Sequence, residues 1–131
     1  MILFSNWVAE LRQILATHNI NLLKEEDMNI EVFDEMGAPR TDGTSLKGYV
    51  IASYQDLLNV LGNPTFDEPS ADGKTTTEYI VGYGEEIYTI YDYKQYDNPP
   101  KDNPYTPIRW HIGGYNSAYD FIDALEKELG L

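Results

Sequence analysis

Residues 74–94 read Lys74-Thr-Thr-Thr-Glu-Tyr-Ile-Val-Gly-Tyr-Gly-Glu-Glu-Ile-Tyr-Thr-Ile-Tyr-Asp-Tyr-Lys94, the longest run of β-branched and aromatic residues in the chain. Each half alternates in character from residue to residue, and Gly84-Glu85 interrupts the run near its middle. Alternation about a short Gly-containing break predicts a β-hairpin. Thr75, Thr77, Tyr79, Val81 and Tyr83 then share one face of the first strand. Ile87, Thr89, Tyr91 and Tyr93 share one face of the second, with Glu78, Tyr88, Asp92 and Lys94 on the opposite parities. The hairpin is expected to be the floor on which helices pack.

Outward from it, Ser53 followed by Asp56 has the form of a capping box. Tyr54, Leu57, Leu58 and Leu61 supply a buried stripe, and Gly62 with Pro64 stops the helix. A short strand at Tyr49-Val50-Ile51 precedes it, after a Gly- and Pro-containing loop over residues 37–48. On the other side, four of the seven prolines fall in residues 95–107, an extended connection. Ile108, Trp110 and Ile112 alternate with Arg109 and His111 as a third strand, which Gly113-Gly114 is expected to end. Asn116 or Ser117 caps a last helix with Ala118, Phe121, Ile122, Leu125 and Leu129 inward. Nearer the start, Trp7, Val8, Leu11, Ile14 and Leu15 behind Ser5 predict a helix over residues 6–18. Ile30 and Val32 flank Glu31 as a short strand or, equally, a short helix. The expected class is α+β: one domain over residues 1–131, an antiparallel sheet of three to four strands and about three helices. Residues 1–45 are the N-terminal helix and acidic segment, and residues 46–131 the helix, β-meander and C-terminal helix.

The length of 131 residues suits a single core. Without cysteine there is no disulfide framework, thiolate metal site or Cys nucleophile, so no oxidising compartment is needed and the cytoplasm is the expected setting. No basic leader or membrane span is read from the sequence, and no membrane association is expected. Twenty-two acids against 9 bases give a net charge of −13. Such a surface repels nucleic acid and attracts basic proteins, including the nucleic-acid channels of nucleases. The same acidity also serves solubility.

Chemistry-bearing motifs are few. Ser117 or Thr89 could be drawn into an arrangement with His111 and Asp92, but no nucleophile elbow accompanies them. The acids of residues 67–73 invite a calcium loop, yet Pro69 and Ala71 occupy ligand positions. No phosphate-binding loop or metal-spaced histidine pair occurs, so neither a catalytic residue, a metal nor a cofactor is expected. Eleven tyrosines exceed what one sheet face can bury, and tyrosine suits protein interfaces as well as cross-strand pairing on a solvated face.

Three elements occur in order: Tyr54-Gln-Asp-Leu-Leu-Asn-Val-Leu-Gly-Asn-Pro-Thr-Phe66, Ile90-Tyr-Asp-Tyr-Lys94 and Trp110-His-Ile-Gly-Gly114, behind Leu46-Lys-Gly-Tyr49. Together they resemble a group of small proteins encoded by bacteriophages and prophages, over about residues 46–125. The resemblance implies a phage product acting in the bacterial host cytoplasm and brings no enzymatic activity. The helix, Gly-x-Pro-Thr and β-meander are also similar to the repeat units of β-lactamase-inhibitor-like domains, which bind proteins through a concave sheet.

Two functions are therefore expected to compete. One is a non-enzymatic inhibitor of a host nucleic-acid-handling defence enzyme, of anti-CRISPR or anti-restriction type. Its partner would be a host protein with a basic surface, not nucleic acid, contacted through Glu25, Glu26, Asp27, Glu31, Asp34, Glu35, Asp67, Glu68, Asp72, Glu85 and Glu86 as phosphate mimics. The other is a small-molecule or peptide-binding module with a pocket around Tyr91, Trp110 and His111, set against the reading in which Trp110 is a core residue and His111 points to the other face.

Overall fold

A computed structural model describes residues 29–95 and 97–131. The predicted helix over residues 6–18, its cap Ser5, the carboxylates Glu25, Glu26 and Asp27, and Tyr96 lie outside the described residues. The class is α+β. Five antiparallel strands form one sheet, against the three to four expected, and two helices stand among the described residues. In chain order the elements are β1 (Ile30–Val32), β2 (Ser45–Ala52), α1 (Tyr54–Leu61), β3 (Glu78–Tyr83), β4 (Glu86–Tyr91), β5 (Ile108–Gly114) and α2 (Tyr119–Glu128), and the sheet order is β1-β3-β4-β5-β2.

The hairpin is present with a two-residue turn, Tyr83 pairing Glu86 across Gly84-Glu85. Gly84 takes φ 63°, which glycine adopts without penalty. Tyr79 faces Ile90 and Val81 faces Tyr88 across the pair, and all four are buried. This sets the inward parity of β4 at Tyr88 and Ile90, leaving Ile87, Thr89 and Tyr91 on the other face. Both parities of β4 carry apolar residues, so periodicity shows the alternation without showing which side is in.

The first strand begins at Glu78 and not at Thr75, because a side chain claims the preceding amides. Asp92, fully buried, accepts hydrogen bonds from the Thr76 amide (2.8 Å), the Thr76 hydroxyl (2.7 Å) and the Thr77 amide (2.9 Å). Donors on three sides keep a buried carboxylate solvated by the protein itself.

Leu57 of α1, Phe121 and Leu125 of α2, and Trp110, Ile112, Val50 and Ala52 of the sheet join the inward hairpin residues in one core. Both helices therefore cover the same sheet face. Phe121 stacks on Tyr88 with centroids 4.6 Å apart and planes 5° from parallel. The capping box at Ser53 and Asp56 closes as expected, with Ser53 Oγ accepting from the Asp56 amide at 3.0 Å, and Gly62 ends α1 at φ 80°. The second helix differs: Ala118 is its N-cap and makes no side-chain capping bond.

Two boundaries move for tertiary reasons. β2 reaches back to Ser45, inside the expected loop, because β5 pairs with it through a bulge between Leu46 and Gly48. β5 runs on through Gly113 and Gly114 instead of ending at them. A Cβ on Gly113 would lie 2.6 Å from Thr89 Oγ1, and one on Gly114 2.8 Å from the Tyr88 ring. These glycines let neighbouring side chains cross the strand; they do not turn the chain.

Replacing Asp92 by Ala strands two amides and a hydroxyl, and is expected to lower unfolding free energy by about 2–4 kcal/mol. Asp92→Asn, which keeps one acceptor oxygen, should lose less. Urea unfolding followed by circular dichroism measures both.

Candidate functional site

The outer edge of β3 is shared by two segments in succession, and the handover creates an acidic hollow. β1 pairs with Val81 to Tyr83, and the Phe33 amide then donates to Ile80 O at 2.9 Å. There the chain leaves the sheet, and Thr65 fills the gap. Its hydroxyl accepts from the Ile80 amide (2.8 Å) and donates to Phe33 O (2.6 Å), holding both segments against β3. Phe66 next bridges Glu78, with each amide donating to the other's carbonyl at 2.9 Å. Glu35, which follows β1, and Asp67 and Glu68, which follow Phe66, thereby come to one cavity of about 490 Å³ with Glu78 at its inner wall.

Burial raises the Glu78 carboxyl above its ordinary value. Asp67 meets one cation, with Lys101 Nζ 2.7 Å from its carboxylate and also donating to its backbone carbonyl. Asp72 stands nearby in the turn and is committed to it, accepting from Ser70 Oγ (2.7 Å) and the Lys74 amide (3.0 Å). The Ser70 bond, then the Lys74 amide, hold its carboxyl below the usual range.

The sequence-derived carboxylates thus separate. Glu35, Asp67 and Glu68 line one cavity together with Glu78, which the sequence did not single out as a site residue. Its one signal was an acid at the start of an otherwise β-branched and aromatic strand. Glu31 lies on β1 opposite Gly82. Asp34 turns back to accept from the Gly37 amide at 2.6 Å. Glu85 and Glu86 sit at the hairpin turn, roughly 17 Å along β3 from Glu78 at about 3.4 Å per residue. Glu86 there accepts from Asn116 Nδ2 at 2.9 Å.

Tyr91, Trp110 and His111 do not line a common pocket. Trp110 is fully buried on the helix-covered face, where its Nε1 donates to Ala52 O at 2.9 Å. Tyr91 and His111 share the opposite face. Register places Glu78, Tyr91, His111 and Tyr49 in one row across β3, β4, β5 and β2. His111 is boxed by Tyr49 (5.0 Å, edge-on), Tyr93 (5.0 Å, stacked) and Tyr91 (5.4 Å). The Arg109 guanidinium lies 4.5 Å over the Tyr49 ring. The imidazole itself occupies the space that the three tyrosines surround.

His111 has no hydrogen bond to Thr89, Ser117 or Asp92 among the described residues, and the Asp92 oxygens serve Thr76 and Thr77. That geometry gives neither hydroxyl a base. Comparison of the chain with protein-family models, with curated proteins and with solved structures finds no match. None of the described helices is long and apolar enough to cross a membrane.

Burial, and secondarily the Arg109 charge, depress the His111 imidazole below its ordinary 6.5, with Asp92 opposing. The folded protein therefore prefers neutral His111. Its contribution to stability is complete above pH 6.5 and is lost as the pH falls from 6.5 toward the folded value. His111→Gln is expected to flatten this limb of the stability profile, and an NMR titration of the wild-type imidazole should show a midpoint below 6.5. Glu78 has the opposite sign. Its raised carboxyl favours the protonated folded form, so stability falls as the pH rises from 4.5 through the folded value. Glu78→Gln should stabilise the protein at neutral pH and lose that advantage in acid, as thermal midpoints across pH would record.

Proposed function

We propose that this chain is a non-catalytic binding protein that presents carboxylates to a basic protein surface. In the form that fits a phage product best, it inhibits a host nucleic-acid-handling defence enzyme, such as a CRISPR effector or a restriction nuclease, by occupying its phosphate-binding channel. The observation that carries this reading is the convergence of Glu35, Asp67, Glu68 and Glu78 on one cavity, from three separate segments of the chain. Backbone pairing at Phe66 and the Thr65 hydroxyl hold two of those segments in place, so the carboxylates are oriented before a partner arrives. Among the described residues Lys101 pairs with Asp67 alone, and the net charge of −13 adds a long-range attraction for cationic surfaces. A guanidinium or ammonium entering the cavity would find several acceptors in a partly desolvated setting, where each charge-assisted bond is stronger than at an open surface.

The partner would meet this edge as it meets nucleic acid, so binding should compete with DNA or RNA and weaken with salt. Cleavage assays with a panel of CRISPR effectors and restriction nucleases, titrated with the chain at low and high salt, test this. Inhibition is expected to be relieved by added nucleic acid. The triple variant Glu35→Gln, Asp67→Asn, Glu68→Gln should weaken it by at least about tenfold. Inhibition that survives the triple variant and is abolished by one apolar surface change would overturn the reading.

A further inference from the structure

Two Asp-Gly steps occur in the chain, Asp42-Gly43 and Asp72-Gly73. In such a step the glycine nitrogen, with no side chain beside it, can attack the γ-carbon of the preceding aspartate. The fold treats the two steps in opposite ways.

At Asp72 the reacting groups are engaged. Ser70 Oγ donates to its Oδ1 at 2.7 Å, the Lys74 amide donates to the same oxygen at 3.0 Å, and the Gly73 amide donates to Ser70 O at 2.9 Å. Ring closure there has to give up these bonds, which slows it by at least about tenfold.

At Asp42 they are open. The side chain is 81% exposed, and its ion pair with Arg40, at 3.2 Å, lies equally in solvent. A pair of that kind holds a carboxylate weakly. Gly43 is exposed too, at φ 87°, in a turn where the Thr44 amide (3.2 Å) and hydroxyl (2.8 Å) both donate to Thr41 O. The Tyr115 hydroxyl donates to Asp42 O at 2.8 Å and to Arg40 O at 3.2 Å, and its ring lies 3.7 Å from where a Cβ on Gly43 would stand. Asp42 O belongs to the same peptide group as the Gly43 nitrogen. As that nitrogen gives up its proton and attacks, negative charge spreads onto Asp42 O, where the phenol already donates.

We propose that Asp42-Gly43 is a site of self-modification: the Gly43 nitrogen closes on the Asp42 carboxyl to a succinimide, which water reopens to isoaspartate, with the Tyr115 hydroxyl stabilising the attacking amide. The N–Cγ bond forms, the C–OH bond of the protonated carboxyl breaks, and the amide proton leaves with that oxygen as one water. Water then adds to either ring carbonyl. Addition at Cγ restores aspartate, and addition at the former main-chain carbonyl leaves the chain running through the side-chain carbons. That lengthens the main chain by one methylene, and so loosens both the Tyr115 tether and the turn that leads into β2. The reaction needs no partner and stands or falls independently of the proposed inhibitor activity.

Incubation of the full chain at about pH 5, where aspartate carboxyls are protonated part of the time, tests this. Heavy-oxygen water is the probe, since each reopening leaves one labelled oxygen, and peptide mapping separates isoaspartyl from aspartyl peptides. In the folded chain residue 42 is expected to take up label and convert at least about tenfold faster than residue 72, whereas in urea the two should react alike. Tyr115→Phe, which keeps the ring, should slow residue 42 about fivefold when folded and change nothing in urea. Asp42→Glu, which would require a larger ring, should abolish labelling there. Equal rates at residues 42 and 72 in the folded chain, or an undiminished rate at residue 42 in Tyr115→Phe, would each overturn the proposal.

Discussion

A tyrosine or tryptophan can line a core only if its polar tip finds a partner there, since an unmade hydrogen bond at a buried donor costs about 1–3 kcal/mol. Three rings in this sheet meet that condition in the same manner. Tyr79 donates to Gly62 O at 2.8 Å, Tyr88 to Ser117 O at 2.8 Å and Trp110 to Ala52 O at 2.9 Å. The acceptors are the residue that ends α1, the residue just before the cap of α2, and the last residue of β2 before α1. Each ring thus contributes apolar area to the core and pins the end of an element with its tip. The positions of both helices over the sheet follow from where the hairpin and β5 place those donors.

With both helices drawn to one face, the other face is built from side-chain rows. The row Glu78, Tyr91, His111, Tyr49 shows how such a face is stabilised: Tyr49 packs edge-on and Tyr91 tilted against the imidazole, and Arg109 covers the outermost tyrosine. Neutrality of His111 follows from the same packing, because desolvation and a neighbouring guanidinium both oppose a second positive charge. The row ends at Glu78, the inner wall of the acidic hollow. A single line of residues therefore links the two edges of the sheet, one rich in acid and the other formed by a strand that carries none.

That polarity is a consequence of topology acting on an uneven distribution of charge along the chain. β1 and the segment after Phe66 carry acids and share the outer edge of β3, while β2 carries none and forms the opposite edge. Thr65 is the hinge of the arrangement. Its one hydroxyl satisfies the Ile80 amide and the Phe33 carbonyl where β1 departs, and without it the handover between the two edge segments would leave buried backbone groups unpaired.

The order of elements from Tyr49 onward, the hairpin with its Gly84 turn, the capping box of α1 and the alternating strand at Trp110 were legible in the sequence, because each rests on local chemistry: period, turn residues and capping side chains. Residues 34 and 35 and 67 and 68 were legible as acids. Long-range pairing decided the rest. Asp92 reaches back to claim the Thr76 and Thr77 amides and so delays β3. Gly113 and Gly114 look like a strand terminator in sequence, yet they remain in the sheet because Thr89 and Tyr88 lean across them. Of the two readings of Trp110 and His111, pocket neighbours or core residue and opposite face, burial upheld the second, since consecutive strand residues point to opposite faces. Local periodicity determined which residues alternate; only the packing of α1 and α2 on one face determined which alternate set became the core, and only pairing along the edge of β3 determined which carboxylates met.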